Sequence, residues 1–334
     1  MKRSTIQEIA EELSLSPTTI SFILNGKSER YKISKATQQK VLDFVEKRNF
    51  RPNAQARSLT SGKTFTIGFI VPDISDRYYA KIAKGIEDII EPQGYQIIMA
   101  STEENPKREQ SVVNSLLARR IDGVIMAPTP KAHKSLLEIE GSGIPIVLFD
   151  RKVPNFETHY VGVDNRESVK HCVLRMLDQG LERIALVTIP TEAETIRERI
   201  QGYKDALKER HKRSLSALIC TVDPKDVMGT LTQQFRRLFK LTPSIQAIFF
   251  TNNMTSYSGY LLLERDFPEE LSRLQLASFD DMDYFEFTKP RITGIEQPEK
   301  YISSNCAQLI MDSIEGHIRE PKEIKLETNI RWRM

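Results

Sequence analysis

Thr5-Ile6-Gln7-Glu8-Ile9-Ala10, then Ser16-Pro17-Thr18-Thr19-Ile20-Ser21, closed by Leu24-Asn25-Gly26, reads as two short helices meeting at a tight turn. Thr5 can cap the first and Ser16 the second, with Pro17 at the first helical position, where a missing N–H costs nothing. Ile6, Ile9, Ala10 and Leu13 share one helical face, as do Ile20, Ile23 and Leu24, so each helix has an apolar stripe to bury against the other. The pattern is a helix-turn-helix, which presents the start of its second helix to the major groove of DNA.

Short amphipathic helix pairs are common, and the pattern alone leaves open a solvated helical cap. Charge argues for DNA. Residues 1–63 hold twelve Lys or Arg against six Asp or Glu; the whole chain has a surplus of three positive charges, so the remainder is about three negative. A basic terminal module on a mildly acidic body is the footprint of a partner that carries phosphates.

These residues resemble the lactose-repressor family of bacterial transcription regulators. The motif set matches in order: Thr5-Ile-x-Glu8-Ile-Ala10, Ser16-x-x-Thr19-Ile-Ser21, Asn25-Gly26, Ser34-x-x-Thr37-x-x-Lys40-Val41, and Asn49-Phe50-x-Pro52-Asn53-x-x-Ala56. The similarity runs to the C-terminus. Asn25-Gly26-Lys27 with Tyr31-Lys32-Ile33-Ser34 resembles the fructose-repressor (catabolite repressor/activator) branch, which has a longer loop here. The resemblance places Pro17, Thr18 and Phe22 at the base-reading positions. Most members carry Arg at the last of these, a reader of guanine; Phe22 donates no hydrogen bond, so contact with a thymine methyl and simple packing both stay open. Thr5, Ser16, Thr19, Ser21 and Asn25 are candidates for phosphate or base-edge bonds, with capping the alternative for Thr5 and Ser16. Pro52-Asn53-Ala54-Gln55-Ala56-Arg57-Ser58-Leu59 resembles the hinge helix that enters the minor groove. Within it Asn53, Ala56 and Arg57 are DNA-facing candidates and Leu59 matches the leucine wedged between base pairs. The alternative is an ordinary linker helix ended by Thr60-Ser61-Gly62.

From Phe65 onward, apolar runs of strand length alternate with helical stretches: 67–71, 96–100, 123–127, 145–149, 183–189, 218–222, 247–250 and 274–279, separated by helical segments such as 79–91, 107–119, 167–179, 196–209 and 225–239. Continuous Val, Ile, Leu and Phe runs indicate strands buried on both faces, and the alternation implies parallel sheets wrapped by helices. Some 270 residues exceed one comfortable core, so two α/β lobes are expected. The divide falls near Tyr160–Asn165. The resemblance implies further crossings near Thr293–Gln297 and Ile324–Ile330 and a periplasmic-binding-protein-like body. The expected organisation is a helix-turn-helix domain at 1–50, a hinge helix and linker at 51–63, and an effector-binding and dimerisation domain at 64–334. Its N-lobe covers about 64–161 and 294–324, its C-lobe about 162–293 and 325–334.

Ligands in open parallel sheets bind beyond the C-terminal strand ends, and several polar residues sit just there. Arg199-Ile-Gln-Gly202-Tyr203 matches the family's Arg-x-x-Gly-aromatic effector motif. The resemblance assigns effector binding to Arg199, Asn252 and Asp280, with Tyr78 and Tyr79 lining the pocket and Arg151 on its rim. Arg offers a rigid fork to paired oxygens, Asp accepts hydroxyl protons, and an aromatic face covers sugar C–H groups. Each has a plainer reading: Arg199 as a solvent-facing member of a charged helix, Asp280 as a turn cap, the tyrosines as core. If Arg77 and Arg151 both face inward, a sugar phosphate becomes attractive.

Catalytic chemistry has little footing. Gly141-Ser-Gly143 lacks the third glycine of a nucleotide fingerprint, the five histidines have no metal-like spacing, and Cys172, Cys220 and Cys306 stand far apart, as buried thiols in a reducing cytosol would. No apolar run spans a membrane and no signal peptide precedes the headpiece. The expectation is therefore a cytoplasmic, non-enzymatic transcription regulator without metal or cofactor. It would bind operator DNA as a homodimer under control of a small sugar or sugar-phosphate effector. The alternative is a cytosolic sugar-binding or sugar-modifying protein that does not act on DNA.

Overall fold

The computed structural model describes residues 6–24, 26, 28–48, 62–190, 192–210 and 216–334. It divides into two compact units, residues 1–65 and 66–334.

Among the described residues of the first unit stand the helices α1 (Ile6–Leu13), α2 (Pro17–Leu24) and α3 (Lys35–Lys47). Their apolar stripes meet in a small core of Ile9, Ala10, Leu13, Ile20, Ile23 and Val41. Ser16 caps α2, its Oγ accepting from the Thr19 N–H at 3.0 Å, and Ser34 does the same for α3 through Thr37 at 3.2 Å. Each cap satisfies an orphan donor of a first turn and contributes about 1 kcal/mol.

The second unit begins with β1 (Thr66–Val71), α4 (Arg77–Ile90), β2 (Gln96–Ser101), α5 (Pro106–Ala118), β3 (Gly123–Met126), α6 (His133–Gly141), β4 (Ile146–Phe149) and β5 (His159–Val163). It continues with α7 (Asn165–Asp178), β6 (Ile184–Thr188), α8 (Glu194–Glu209), β7 (Ile219–Thr221), α9 (Val227–Leu238), β8 (Ala247–Phe250), α10 (Asn253–Asp266), α11 (Pro268–Leu271) and β9 (Gln275–Phe279). β10 (Ile292–Glu296), α12 (Glu299–Ile314), β11 (Glu323–Leu326) and β12 (Asn329–Arg331) complete it.

Two six-stranded sheets result, ordered β11-β5-β4-β3-β1-β2 and β12-β10-β9-β8-β6-β7. Every pairing is parallel except β10 with the edge strand β12. The central strands β1, β3, β4, β8 and β9 are buried along all but at most their first residue, as sheets covered on both faces require. The chain passes between the sheets after Val163, after Glu296 and after Leu326. After the second passage α12 returns to the first sheet and lies against α4. Gly85 permits that approach, because a Cβ there would overlap Ser303, whose Oγ donates to the Ile82 carbonyl at 3.1 Å.

Candidate functional site

In the headpiece, Ser16, Pro17 and Thr18 stand exposed at the start of α2, while Thr19, Ser21 and Phe22 are half-buried. The Ser16 and Thr19 hydroxyls lie 2.8 Å apart in the capping interaction. Phe22 packs: its ring lies parallel to that of Tyr31 with centroids 3.6 Å apart, and the Arg30 guanidinium lies 5.9 Å from the Tyr31 ring. Thr5, Asn25, Asn53, Ala56, Arg57 and Leu59 lie outside the described residues, as does most of the segment expected as a hinge.

In the body, Tyr78, Tyr79, Arg151, Arg199, Asn252 and Asp280 all line one cavity of about 700 Å³. It lies between the two sheets, and its wall is made of residues that follow β1, β2, β3, β4, β6, β7, β8, β9 and β10. That volume suits a small molecule.

The motif around Arg199 is explained by packing. Gly202 faces α7, where any Cβ would overlap the Arg166 carbonyl oxygen, so only glycine lets α8 lie this close. Tyr203 is fully buried and its hydroxyl donates to the Ile184 carbonyl at 2.7 Å, fixing α8 to β6. Arg199, one turn back, is thereby turned inward and is 5 % exposed, which rules out the solvent-facing reading. Its Nε donates to Asn165 Oδ1 at 2.8 Å and its Nη1 to the Thr251 carbonyl at 2.9 Å, while its guanidinium carbon lies 3.5 Å from the centroid of Phe279.

Asp280 follows β9 in the left-handed region at φ 71°, and Asp150 follows β4 at φ 62°. Side chains other than glycine occupy that region at a cost of about 1–3 kcal/mol, and such strain concentrates at ligand sites. Asp280 accepts from Gln297 Nε2 at 2.8 Å and from the Asn253 N–H at 3.3 Å. Burial raises its carboxyl above the ordinary range; Arg199 and Gln297 oppose the shift, and the charges of Asp76 and Asp150 add to it. Asp150 accepts from the Tyr79 hydroxyl at 2.9 Å. Burial, reinforced by Asp150, pushes both Tyr78 and Tyr79 well above the usual phenol range, so both stay neutral donors.

Arg151 faces the cavity but is held by Glu104 through two contacts of 2.7 and 2.8 Å. Arg77 turns to Asp283 at 2.6 Å, so the paired inward arginines expected for an anionic effector do not form. Asn252 caps α10, its Oδ1 accepting from the Thr255 N–H at 2.9 Å. Residues the sequence reading did not single out complete the site: Asn165, Thr251, Phe279, Gln297, Glu104 and Asp76. Among the described residues, contacts bridge the two sheets' loops at three places. Asn253 Nδ2 donates to both Asp76 oxygens, Arg77 pairs with Asp283, and Lys131 meets Glu192 at 3.2 Å.

Among the described residues no cluster of His, Cys, Asp and Glu could hold a metal ion, and no helix is long and apolar enough to cross a membrane.

The profile described as "Periplasmic binding proteins and sugar binding domain of LacI family" matches residues 64–328, and "Bacterial regulatory proteins, lacI family" matches residues 5–53. The chain is 28 % identical to the fructose operon regulatory protein of Vibrio cholerae over 97 % of its own length and 100 % of that protein's. Its fold is similar to that of the lac repressor dimer bound to operator and the anti-inducer ONPF, with TM-score 0.83 at 17 % identity, covering 99 % of this chain and 98 % of that one. It is also similar to the Cra transcriptional dual regulator of Pseudomonas putida in complex with fructose 1-phosphate, with TM-score 0.71 at 24 % identity, over 81 % of this chain and 99 % of the other.

Proposed function

The chain belongs to the LacI family of bacterial regulatory proteins, and on that premise we propose that its operator affinity is set by a small polyhydroxylated effector, a sugar or sugar phosphate, held between the two sheets of the body. The observation that carries this reading is the inward Arg199, locked by Asn165, Thr251 and Phe279 opposite Asp280 in a cavity of effector size. Family members are regulators, so a sugar-modifying role without DNA is not favoured.

On this reading the start of α2, from Ser16 to Thr18, meets base edges or phosphates, with Thr19, Ser21 and Asn25 as further contacts. The 51–63 segment, with Asn53, Ala56, Arg57 and Leu59, serves as the minor-groove hinge. A homodimer supplies the two recognition helices that a near-palindromic operator requires. The cytoplasm is where such a protein meets its DNA. Effector binding favours one setting of the two sheets, and the resulting coupling to DNA is reciprocal.

The test is selection of bound duplexes from a random pool, repeated with sugars and sugar phosphates. A recovered palindrome, a steep fall in affinity with salt and a change on adding a sugar are expected. No preference for any duplex at moderate ionic strength overturns the proposal. Leu59→Ala tests the hinge: specific affinity and DNA bending should both fall.

A further inference from the structure

The charge of the cavity wall is one-sided. Seven carboxylates and three cationic side chains line it. Two of the three cations are already matched: Lys131 by Glu192, and Arg151 by Glu104 and, at 3.5 Å, by Asp150. Arg199 is left to offset Asp76 and Asp280, while Asp150 shares Arg151 with Glu104; the three carboxylates come from the ends of β1, β4 and β9 and draw their hydrogen bonds from the neutral donors Asn253, Tyr79 and Gln297. The charges of Asp76 and Asp150 are felt at Asp280, so the three carboxylates share one electrostatic neighbourhood.

A second observation points to a missing partner there. Tyr78 is 9 % exposed, lines the cavity, and its buried hydroxyl has no hydrogen-bond partner among the described residues. An unpaired buried hydroxyl is costly, and a ligand oxygen or nitrogen relieves it. The same phenol feels the charges of both Asp150 and Asp280, which places it within their field.

We propose that the effector carries a protonated amine as well as hydroxyl groups, an amino sugar or aminated polyol, whose ammonium lies among Asp76, Asp150 and Asp280 while its hydroxyls engage Arg199 and Tyr78. This deepens, and rests on, the reading of the cavity as the effector site. A bare divalent ion does not fit, because no cluster among the described residues has metal-ligand spacing, whereas an ammonium donates along three directions to separate carboxylates. A phosphate would add negative charge to a wall that already has a surplus of it, inside a site where water screens poorly.

Isothermal titration of the full chain with glucosamine, galactosamine, mannosamine and 1-amino-1-deoxyfructose, each beside its uncharged parent and the corresponding sugar phosphate, tests the proposal. At least one amine should bind about tenfold or more tighter than its parent, with the margin shrinking as salt rises. Asp76→Asn and Asp280→Asn should each narrow that margin. A neutral or phosphorylated sugar that binds as tightly as every amine overturns the inference, as does absence of binding by all four amines. The duplex selection separates the two levels: DNA binding that answers to a neutral or phosphorylated sugar leaves the regulator standing and removes only the amine.

Discussion

Asn253 donates through its Nδ2 to both carboxylate oxygens of Asp76, at 3.1 and 3.2 Å, joining the start of α10 to the start of α4 across the cavity mouth. Asp76 lies opposite Asn253, and a second carboxylate in place of that amide would repel it.

Asn253→Asp should therefore weaken closure. Two facing carboxylates in place of a hydrogen bond cost about 1–3 kcal/mol, which for a body of this size lowers the melting temperature by roughly 3–8 °C. Mutual repulsion raises the pKa of one carboxyl in the folded protein, so the deficit is present at pH 7.5 and shrinks as pH falls and that carboxyl takes up a proton. Equal melting temperatures for variant and parent at pH 7.5 would contradict the bridging role.

Arg199→Lys should abolish the effector response while leaving operator binding without effector intact. Lysine keeps the charge but loses the planar fork that meets Asn165 and the Thr251 carbonyl and lies over Phe279. A fall in effector affinity of about 100-fold, near 3 kcal/mol, is expected by calorimetry. Retained affinity would show that the arginine serves the body's packing alone.

The stacked pair in the headpiece gives a third test. Phe22→Ala and Tyr31→Ala should each weaken operator binding, and the double variant should lose less than the two effects added. A coupling of about 0.5–1.5 kcal/mol is expected from an aromatic pair. Strict additivity would mean that Phe22 acts on DNA independently of Tyr31.

His159 supplies a pH dependence. It is 6 % exposed, its Nδ1 accepts from the Lys322 N–H at 3.1 Å, and its Nε2 lies 3.2 Å from Ser313 Oγ. Burial, with a smaller contribution from Lys322, lowers its pKa below 6.5. The folded state thus favours neutral imidazole, and the stabilisation is complete above the unfolded pKa and lost as pH falls below about 6.5. Melting temperature should drop between pH 7 and 5.5, and His159→Asn, which keeps an acceptor but cannot titrate, should flatten that part of the profile. An unchanged slope would assign the acid sensitivity elsewhere.

Legibility in the sequence followed punctuation. The first two headpiece helices stand out because Ser16 and Pro17 mark the start of the second and the apolar spacing holds on both; α3, capped by Ser34, was not read from its residues as a helix. Eight strands were readable as apolar runs. β5, β10, β11 and β12 were not, since the sequence reading has chain crossings there; β5 and β10 each carry a glycine in place of a branched residue. Gly162 makes room for the Tyr160 ring and Gly294 for Asp281. The helices α10 and α12 mix polar and apolar residues around their circumference and show no clear stripe. At the site, Arg199 announced itself through the glycine and tyrosine that follow it. Its partners did not, because Asn165, Thr251 and Phe279 come from three other elements and meet only after folding. The same applies to Arg151, whose charge Glu104 neutralises from 47 positions away.

The passages leave β5, β10 and β11, and the second and third join the β5–β11 edge of one sheet to the β10–β12 edge of the other, while β2 and β7, at the opposite margins, take part in none. A body fastened along one side gapes most along the other, so traffic in and out of the cavity runs past Glu103 and Pro224. Residence time of a captured molecule is then governed by the three bridges that must break before that margin parts. A longer ligand would protrude there, where the wall offers least resistance.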